Sequence, residues 1–182
     1  MDHAFDVPPT DRELLDFAVG LATRAGQVSA QGFFGEWGSR RKEDGTEVTE
    51  IDLAVEELVR NELARHMPED GIYGEEKGST AGVSGRRWII DPINGTTSFT
   101  RRWPLFSNDI AYEDEYGPAV GVINMPMSRQ MAGGRVTDLD GGPVLKGDMT
   151  VLATNGLLHE AILDLVEGLP RSRDLYALDD GA

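Results

Sequence analysis

The sequence predicts a mixed α/β (α+β) protein in which helices pack against a largely antiparallel sheet. Three observations lead to this prediction: two amphipathic helical segments near the start, a block of strands joined mainly by hairpins, and a strand–helix unit at the end. A chain of 182 residues, 40% hydrophobic and 27% charged, is long enough for one domain with its own core. We predict that domain over residues 1–148 and the start of an incomplete second domain over 149–182.

Two helices are predicted in the first part of the chain. Thr10 followed by Glu13 makes a capping box ahead of an apolar helical stripe, and the first helix is expected to run to about Phe33. Thr49 is the expected N-cap of the second helix. The segment between them, 38–50, is polar and contains glycine, which indicates a loop.

After the second helix the apolar pattern changes to one typical of strands. Short apolar runs bounded by turn residues predict strands at 71–76, 86–90, 108–114, 119–125 and 129–136. A further strand and helix at 149–169 cannot bury a core alone. Their apolar positions, among them Leu158, Ile162 and Leu165, are therefore expected to be covered by a partner, which predicts association.

The overall charge limits the function classes. Seventeen basic and 32 acidic residues give a net charge of -15, which repels nucleic acid and anionic membranes at long range. It also repels a phosphorylated substrate unless divalent cations reverse the sign locally, so a phosphate function requires a metal. The chain has no cysteine, no apolar run near the ~20 residues that span a bilayer, and no secretory signal, so the default expectation is cytoplasmic.

Three carboxylates lie at the ends of two predicted strands. Glu75 and Glu76 end the strand at 71–76, and Asp91 follows the apolar run at 86–90. If these strands pair, the acids converge at one edge, which is unfavourable unless a cation or a proton separates them. Oxygen ligands without histidine or cysteine favour Mg²⁺.

The residues after Asp91 add groups that suit an anion. Ile93 offers a carbonyl to the ion, and Gly95 lacks a side chain that would block close approach. Thr96 and Thr97 supply hydroxyls, and a helix beginning near Thr96 would direct free N–H groups at a phosphate. Metal on one side and amide donors on the other suit the transfer of a phosphoryl group to water.

Each feature also has a simpler interpretation. The carboxylates could belong to a solvated loop, and residues 91–95 could form an Asx-type turn. Asp52 lies three residues after Thr49 and could simply complete a capping interaction. Lys42 could be an exposed loop lysine.

Taken together, the motifs resemble the inositol monophosphatase family of Mg²⁺-dependent phosphatases, which includes histidinol-phosphatase-like members. The resemblance implies the layered α/β/α/β/α sandwich of that family, with its second domain incomplete here. It extends from the first helix to the strand at 149–155. The motifs that carry it are Lys42, TEVTEID (46–52), YGEEKG (73–78), WIIDPINGTTSF (88–99) and Trp103–Pro104.

The resemblance also implies a metal-ligand set. It assigns metal binding to Glu75 and Asp91, to the carbonyl of Ile93, and to the position that Asn94 occupies here. Glu75 is additionally implied to hold the attacking water through the metal. The implied cofactor is Mg²⁺.

A second set of residues is implied to handle phosphate and water. Gly95 and Thr96 would hold the phosphate, and Asn94 and Lys42 complete the expected substrate-binding set. Asp52 would pair with Thr96 to activate the water. The implied partners are a small phosphorylated metabolite and a second copy of the chain, as a homodimer.

Two departures from the family pattern concern the second metal. Asn94 stands where the family has Asp, and an amide oxygen brings no charge to the ion. The family's later Trp-Asp motif is not reached within 182 residues. These departures predict weak or absent turnover and leave three hypotheses open. They are a phosphomonoesterase acting on an inositol, sugar or histidinol phosphate, an impaired homologue that binds a phosphorylated ligand or partner, and a relative of bisphosphate nucleotidases or fructose bisphosphatases.

Overall fold

The computed structural model of the chain describes residues 12–43, 45–115, 117–137 and 152–153. These residues form three helices and nine strands, and none of these helices is long and apolar enough to cross a membrane. The elements in chain order are α1 (Arg12–Phe34), β1 (Ser39–Arg41), β2 (Glu47–Thr49), α2 (Glu50–His66), β3 (Gly71–Gly74), β4 (Gly78–Thr80), β5 (Arg87–Asn94), α3 (Thr96–Thr100), β6 (Ser107–Asp114), β7 (Gly117–Met125), β8 (Gln130–Thr137) and β9 (Leu152–Ala153).

The main sheet has seven strands in the order β4-β3-β5-β6-β7-β8-β9. Among the described strands only β3 and β5 pair in parallel, and the other pairs are antiparallel, as the sequence predicted. Parallel neighbours need a connection that brings the chain back to the end of the sheet where the first strand began. Here β4 supplies it: β4 runs antiparallel to β3 on the side away from β5, so β5 can start beside the start of β3. The carboxyl ends of β3 and β5 therefore lie at the same edge of the sheet, where the acids were predicted.

The two long helices cover one face of this sheet. Small residues of α1, such as Ala18 and Ala22, are fully buried and allow close packing on β6 and β7. Trp88 lies at the centre of the core, and its indole N–H donates to Asp70 at 3.2 Å, which satisfies the buried polar atom. The core contains Ala18, Leu21, Ala22, Ala25, Val55, Val59, Leu63, Trp88, Ile90, Ile110, Tyr112, Val120 and Val122.

The start of α2 confirms the predicted cap at Thr49. The Thr49 hydroxyl accepts from the backbone N–H groups of Ile51 and Asp52, and Asp52 reciprocates by accepting from the Thr49 N–H at 2.8 Å. This capping box holds Asp52 in the first turn, where the side chain is completely buried.

Three sequence predictions about local structure were wrong. Segment 38–50 is largely a hairpin of β1 and β2 rather than a loop, and β4 was not predicted. The strand predicted at 86–90 continues to Asn94 with a bulge after Asp91, so residues 91–95 are not a simple Asx turn. The extended backbone of Pro92 fits a strand because its missing N–H falls where the bulge interrupts pairing.

Some predictions concern residues outside the described part of the chain. These are the cap at Thr10, the helix at 156–169, and the apolar positions Leu158, Ile162 and Leu165. The domain division at 148 and the homodimer stay predictions.

Candidate metal and phosphate site

Three acidic residues form a row across neighbouring strands of the main sheet. Asp91 on β5 is the register partner of Asp109 on β6, and paired residues in a sheet project from the same face. On the other side, Gly74 pairs with Ile90 and the Glu75 N–H donates to the Ile90 carbonyl at 3.1 Å, which places Glu75 beside Asp91. The predicted meeting of Glu75 and Asp91 is therefore observed, with Asp109 as an unpredicted neighbour.

Burial and crowding make Asp91 difficult to ionise. Burial of the Asp91 carboxyl away from water is the largest effect. The charge and hydrogen bond of Glu75 and the charge of Asp109 add to it, and together these effects raise the pKa of Asp91 to about 8. One oxygen of Asp91 and one of Asp109, both Oδ1, are buried with no hydrogen-bond partner in the described part of the chain. Unsatisfied buried carboxylate oxygens are what a bound cation would stabilise.

The raised pKa of Asp91 predicts how the stability of the ion-free chain depends on pH. The pKa is higher in the folded than in the unfolded state, so the folded chain binds more protons between about pH 4 and pH 8. Stability should therefore fall as pH rises through this window. We expect Asp91→Asn to show a weaker fall and to melt a few degrees higher than the natural chain at pH 9. Thermal unfolding in EDTA from pH 5 to pH 9 measures this.

Glu69→Gln is the matched control, because Glu69 is exposed and lies away from the acidic row. Its melting curve should follow that of the natural chain at every pH. Equal pH dependence of the natural chain and Asp91→Asn would contradict the assignment of the raised pKa to Asp91.

Thr96 follows β5 and lies between Asp52 and the end of that strand. Its hydroxyl oxygen is 3.1 Å from Asp52 Oδ1 and 3.0 Å from the carbonyl oxygen of Ile93. Asp52 thus uses one oxygen for the helix cap and the other for Thr96, so the capping interpretation and the predicted pairing with Thr96 are both observed. Burial raises the pKa of Asp52, against the opposing hydrogen bonds from Thr49 and Thr96.

Gly95 allows the chain to turn sharply from β5 into α3. Its φ of 96° lies in the left-handed region that glycine adopts at little cost, and an added Cβ would lie 3.1 Å from the Leu105 carbonyl. The helix begins at Thr96 as predicted, with no side-chain cap. A separate hydrophobic cluster packs behind this turn and is formed by Phe33, Ile93, Phe99 and Phe106.

Lys42 projects from the β1–β2 hairpin onto the pair of glutamates. Its ammonium lies 3.0 Å from Glu75 Oε1 and 2.7 Å from Glu76 Oε1, and only 19% of its side chain is exposed. Burial acts to lower the pKa of Lys42, but the hydrogen bonds to Glu76 and Glu75 outweigh it and the pKa is raised. The interpretation of Lys42 as an exposed loop lysine was wrong, because the hairpin folds it over the site.

Glu56 supports the glutamate pair from beneath and was missed in the sequence. Its fully buried carboxylate accepts from the backbone N–H of Glu76 at 2.7 Å and of Lys77 at 3.1 Å. It also pairs with Arg60 at 2.8 Å. The signal was an acidic residue four positions after Asp52, on the same inward face of α2.

Asn94 turns its amide to β6. Its Nδ2 donates to Asp109 Oδ2 at 2.7 Å, and a carboxylate can only accept, which fixes the orientation of the amide. Within the described ranges, no group of three or more acidic or histidine side chains is arranged so that it could hold a metal ion by itself. Mg²⁺ is commonly held by one or two carboxylates together with water and substrate phosphate, so the acid row does not need a closed cage.

The fold and this acidic site define the chain as a mixed α/β protein. Its site has carboxylate oxygens of the kind that bind a cation such as Mg²⁺, beside a hydrogen-bonded threonine and aspartate. The pattern of the inositol monophosphatase family matches residues 10–132, and the chain belongs to that family. The family and the fold class predicted from the sequence are thereby confirmed.

Among curated relatives, histidinol-phosphatase of Chlorobaculum parvum is 43% identical over 114 residues, which cover 62% of this chain and 44% of that protein. Inositol monophosphatase 3 of Solanum lycopersicum is 30% identical over 166 residues, covering 88% of this chain and 60% of that protein. The chain thus spans about half the length of the curated relatives it matches.

Two solved structures show the same fold. The extragenic suppressor protein suhB from Bartonella henselae is 27% identical with a TM-score of 0.65, covering 68% of this chain and 49% of that chain. Thermotoga maritima IMPase is 18% identical with a TM-score of 0.65, covering 85% of this chain and 97% of that chain. At this level of identity the second likeness concerns the fold alone.

Proposed function

We propose that the protein is a Mg²⁺-dependent phosphomonoesterase that acts on a small alcohol phosphate, such as an inositol, sugar or histidinol phosphate. The observation that carries the proposal is the buried Asp91 oxygen that has no hydrogen-bond partner among the described residues, next to the carboxyl of Glu75. Support for the substrate class comes from the relatives, which are named as histidinol-phosphatases and inositol monophosphatases.

The residues present fit a magnesium ion. Glu75, Asp91 and the carbonyl of Ile93 would hold it, since all three offer the oxygen atoms that this ion prefers. When bound, the ion supplies Lewis acidity that neutralises phosphate charge and makes a water molecule easier to deprotonate.

The chain's own residues would direct the water and the phosphate. Asp52 accepts the hydrogen bond of the Thr96 hydroxyl, which leaves the Thr96 oxygen free to accept from a water. As that water attacks phosphorus, its proton passes through Thr96 to Asp52, whose carboxyl accepts a proton more readily because burial raises its pKa. The bond from phosphorus to the alcohol oxygen breaks, and the alcohol takes a proton from solvent. Lys42, beside Glu75 and Glu76, would contribute positive charge toward the phosphate.

The test is phosphate release from histidinol phosphate, myo-inositol 1-phosphate and glucose 6-phosphate. We expect release of phosphate from at least one of these in Mg²⁺ and none in EDTA, since the acid row is repulsive to a phosphate without a cation. Fructose bisphosphate and nucleotide bisphosphates serve as the comparison substrates for the hypothesis that the chain is a relative of fructose bisphosphatases or bisphosphate nucleotidases. Turnover that is equally fast in EDTA would contradict the proposal.

A second candidate function is binding of a phosphorylated ligand without turnover. It is favoured by the uncharged amide at Asn94, which donates to Asp109 rather than adding charge. Saturable binding of the same esters in Mg²⁺, with no phosphate released by the natural chain and measurable release by Asn94→Asp, would support this candidate over the enzyme.

A further inference from the structure

The carboxylate of Asp109 belongs, we infer, to the ion-binding set of this site, and Asn94 acts as the residue that orients it rather than as the ligand predicted from the sequence. The inference rests on the proposed use of a divalent ion. It assigns a role to a residue that neither the sequence motifs nor the implied ligand set includes.

The first support is position. Asp109 is the cross-strand partner of Asp91, and such partners have Cβ atoms about 4.5–5.5 Å apart on the same face of the sheet. Two acids held this closely on rigid strands are unfavourable unless a cation or a proton lies between them.

The second support is the unequal use of the two Asp109 oxygens. Oδ2 accepts from Asn94 Nδ2 at 2.7 Å, whereas Oδ1 is buried with no partner in the described part of the chain. Asp91 Oδ1 is in the same condition. The row therefore presents two buried oxygens, one from each strand, to which no described residue donates a hydrogen bond.

The third support is that nearby cations are used elsewhere. Lys42 bonds to Glu75 and Glu76, and Arg87 pairs with Glu113 on the same strand as Asp109.

The amide of Asn94 explains why Asn94 and Asp109 are in contact, because it can donate a hydrogen bond to the carboxylate. A carboxylate there would face Asp109 without a donor, whereas the amide fixes one oxygen of Asp109 and leaves the other available. In this pair Asn94 thus supplies the hydrogen-bond donor, and Asp109 supplies the negative charge.

The test is calorimetric titration of the whole 182-residue chain with Mn²⁺ and with Mg²⁺, in the absence of substrate. We expect Asp109→Asn to weaken ion binding by about tenfold to a hundredfold, which is the range for residues that hold or orient metal ligands. Glu115→Gln is the matched control, because it removes one exposed negative charge from the end of the same hairpin. Its affinity should equal that of the natural chain.

A swap variant separates charge from structure. Asn94→Asp combined with Asp109→Asn keeps one acid and one amide in contact, so we expect its ion affinity to lie within a few-fold of the natural value. The ion-free melting temperature of Asp109→Asn should be equal to or higher than that of the natural chain, because like-charge repulsion is removed.

The outcomes distinguish this inference from the proposed function. Ion binding by the natural chain that Asp109→Asn leaves unchanged would overturn the inference and leave the proposed function standing. No ion binding by the natural chain would overturn both. A third outcome would also overturn the inference. If Asp109→Asn melts below the natural chain without ions, and the swap variant binds ions as weakly as Asp109→Asn does, then Asp109 only holds the strands together.

Discussion

Replacement of Glu56 by alanine is expected to lower the free energy of unfolding by ~3–5 kcal/mol, the range for breaking a buried ion pair. The loss leaves the Arg60 guanidinium without its partner at 2.8 Å and leaves the backbone N–H groups of Glu76 and Lys77 unpaired. No water can easily replace the carboxylate, since the side chain of Glu56 is fully buried. Urea unfolding followed by circular dichroism measures the change.

Glu57→Ala is the control for this prediction. Glu57 is the next residue on α2, is exposed, and pairs with Lys77 at the surface. Surface changes of this kind usually alter stability by less than ~0.5 kcal/mol. A Glu56→Ala variant that loses no more stability than Glu57→Ala would contradict the supporting role of Glu56.

The same contacts connect stability to the site. Gly74 packs directly against Glu56, and a Cβ on Gly74 would clash with the Glu56 carboxylate unless that side chain shifted. Because Glu56 holds the backbone of Glu76 and Lys77, it also fixes the direction in which Glu75 leaves β3. A stability defect in Glu56→Ala is therefore expected to be accompanied by weaker ion binding.

Asp52→Asn is expected to lower kcat for phosphate release by about a hundredfold or more, the usual contribution of a positioned acid–base group. The amide cannot accept the proton that passes through the Thr96 hydroxyl, although it preserves the size of the side chain and one acceptor oxygen. KM should change little, since Asp52 is buried behind Thr96 and does not face the phosphate. The acidic limb of the pH profile should be lost, because the variant has no carboxyl at this position to take up a proton, whereas burial raises the pKa of the Asp52 carboxyl in the natural chain. Steady-state kinetics from pH 5 to pH 9 measures both effects.

Two controls accompany Asp52→Asn. Glu57→Gln removes an exposed acid from the same helix and should leave kcat unchanged. The melting temperature of Asp52→Asn reports the contribution of the cap at Thr49, so that a folding defect is not mistaken for a chemical one. An Asp52→Asn variant that folds normally and keeps both kcat and its pH profile would refute the proton-accepting role.

Much of the fold follows from local patterns in the sequence. The stripe from Ala18 to Ala25 and the cap at Thr49 specify the positions of α1 and α2, because side-chain spacing and capping act within one or two helical turns. The alternating runs likewise indicate β6, β7 and β8. What these patterns do not carry is the pairing partner of each strand, and for this reason the β1–β2 hairpin and β4 were missed.

The candidate site was predictable in part for the same reason. Glu75 and Asp91 could be identified because each follows a short apolar run, and the parallel pairing of β3 with β5 brings them together. Asp109 could not, because its place beside Asp91 depends on the register of β6 against β5. The spacing of Glu56 from Asp52 indicated its inward face, but its contact with the backbone of Glu76 depends on how α2 packs. Asp109 contacts Asn94 across 15 positions, and Glu56 contacts Glu76 across 20.

The sequence by itself determined α1, α2, most of the described strands, the family, and the acids that follow the apolar runs of β3 and β5. Only the tertiary structure decided that the Asn94 amide turns to Asp109, that Lys42 covers the glutamate pair, and that Glu56 supports it from below. The physical reason is that periodicity and capping depend on residues a few positions apart. Strand register, a bulge after Asp91 and the burial of a charge depend instead on how distant segments pack.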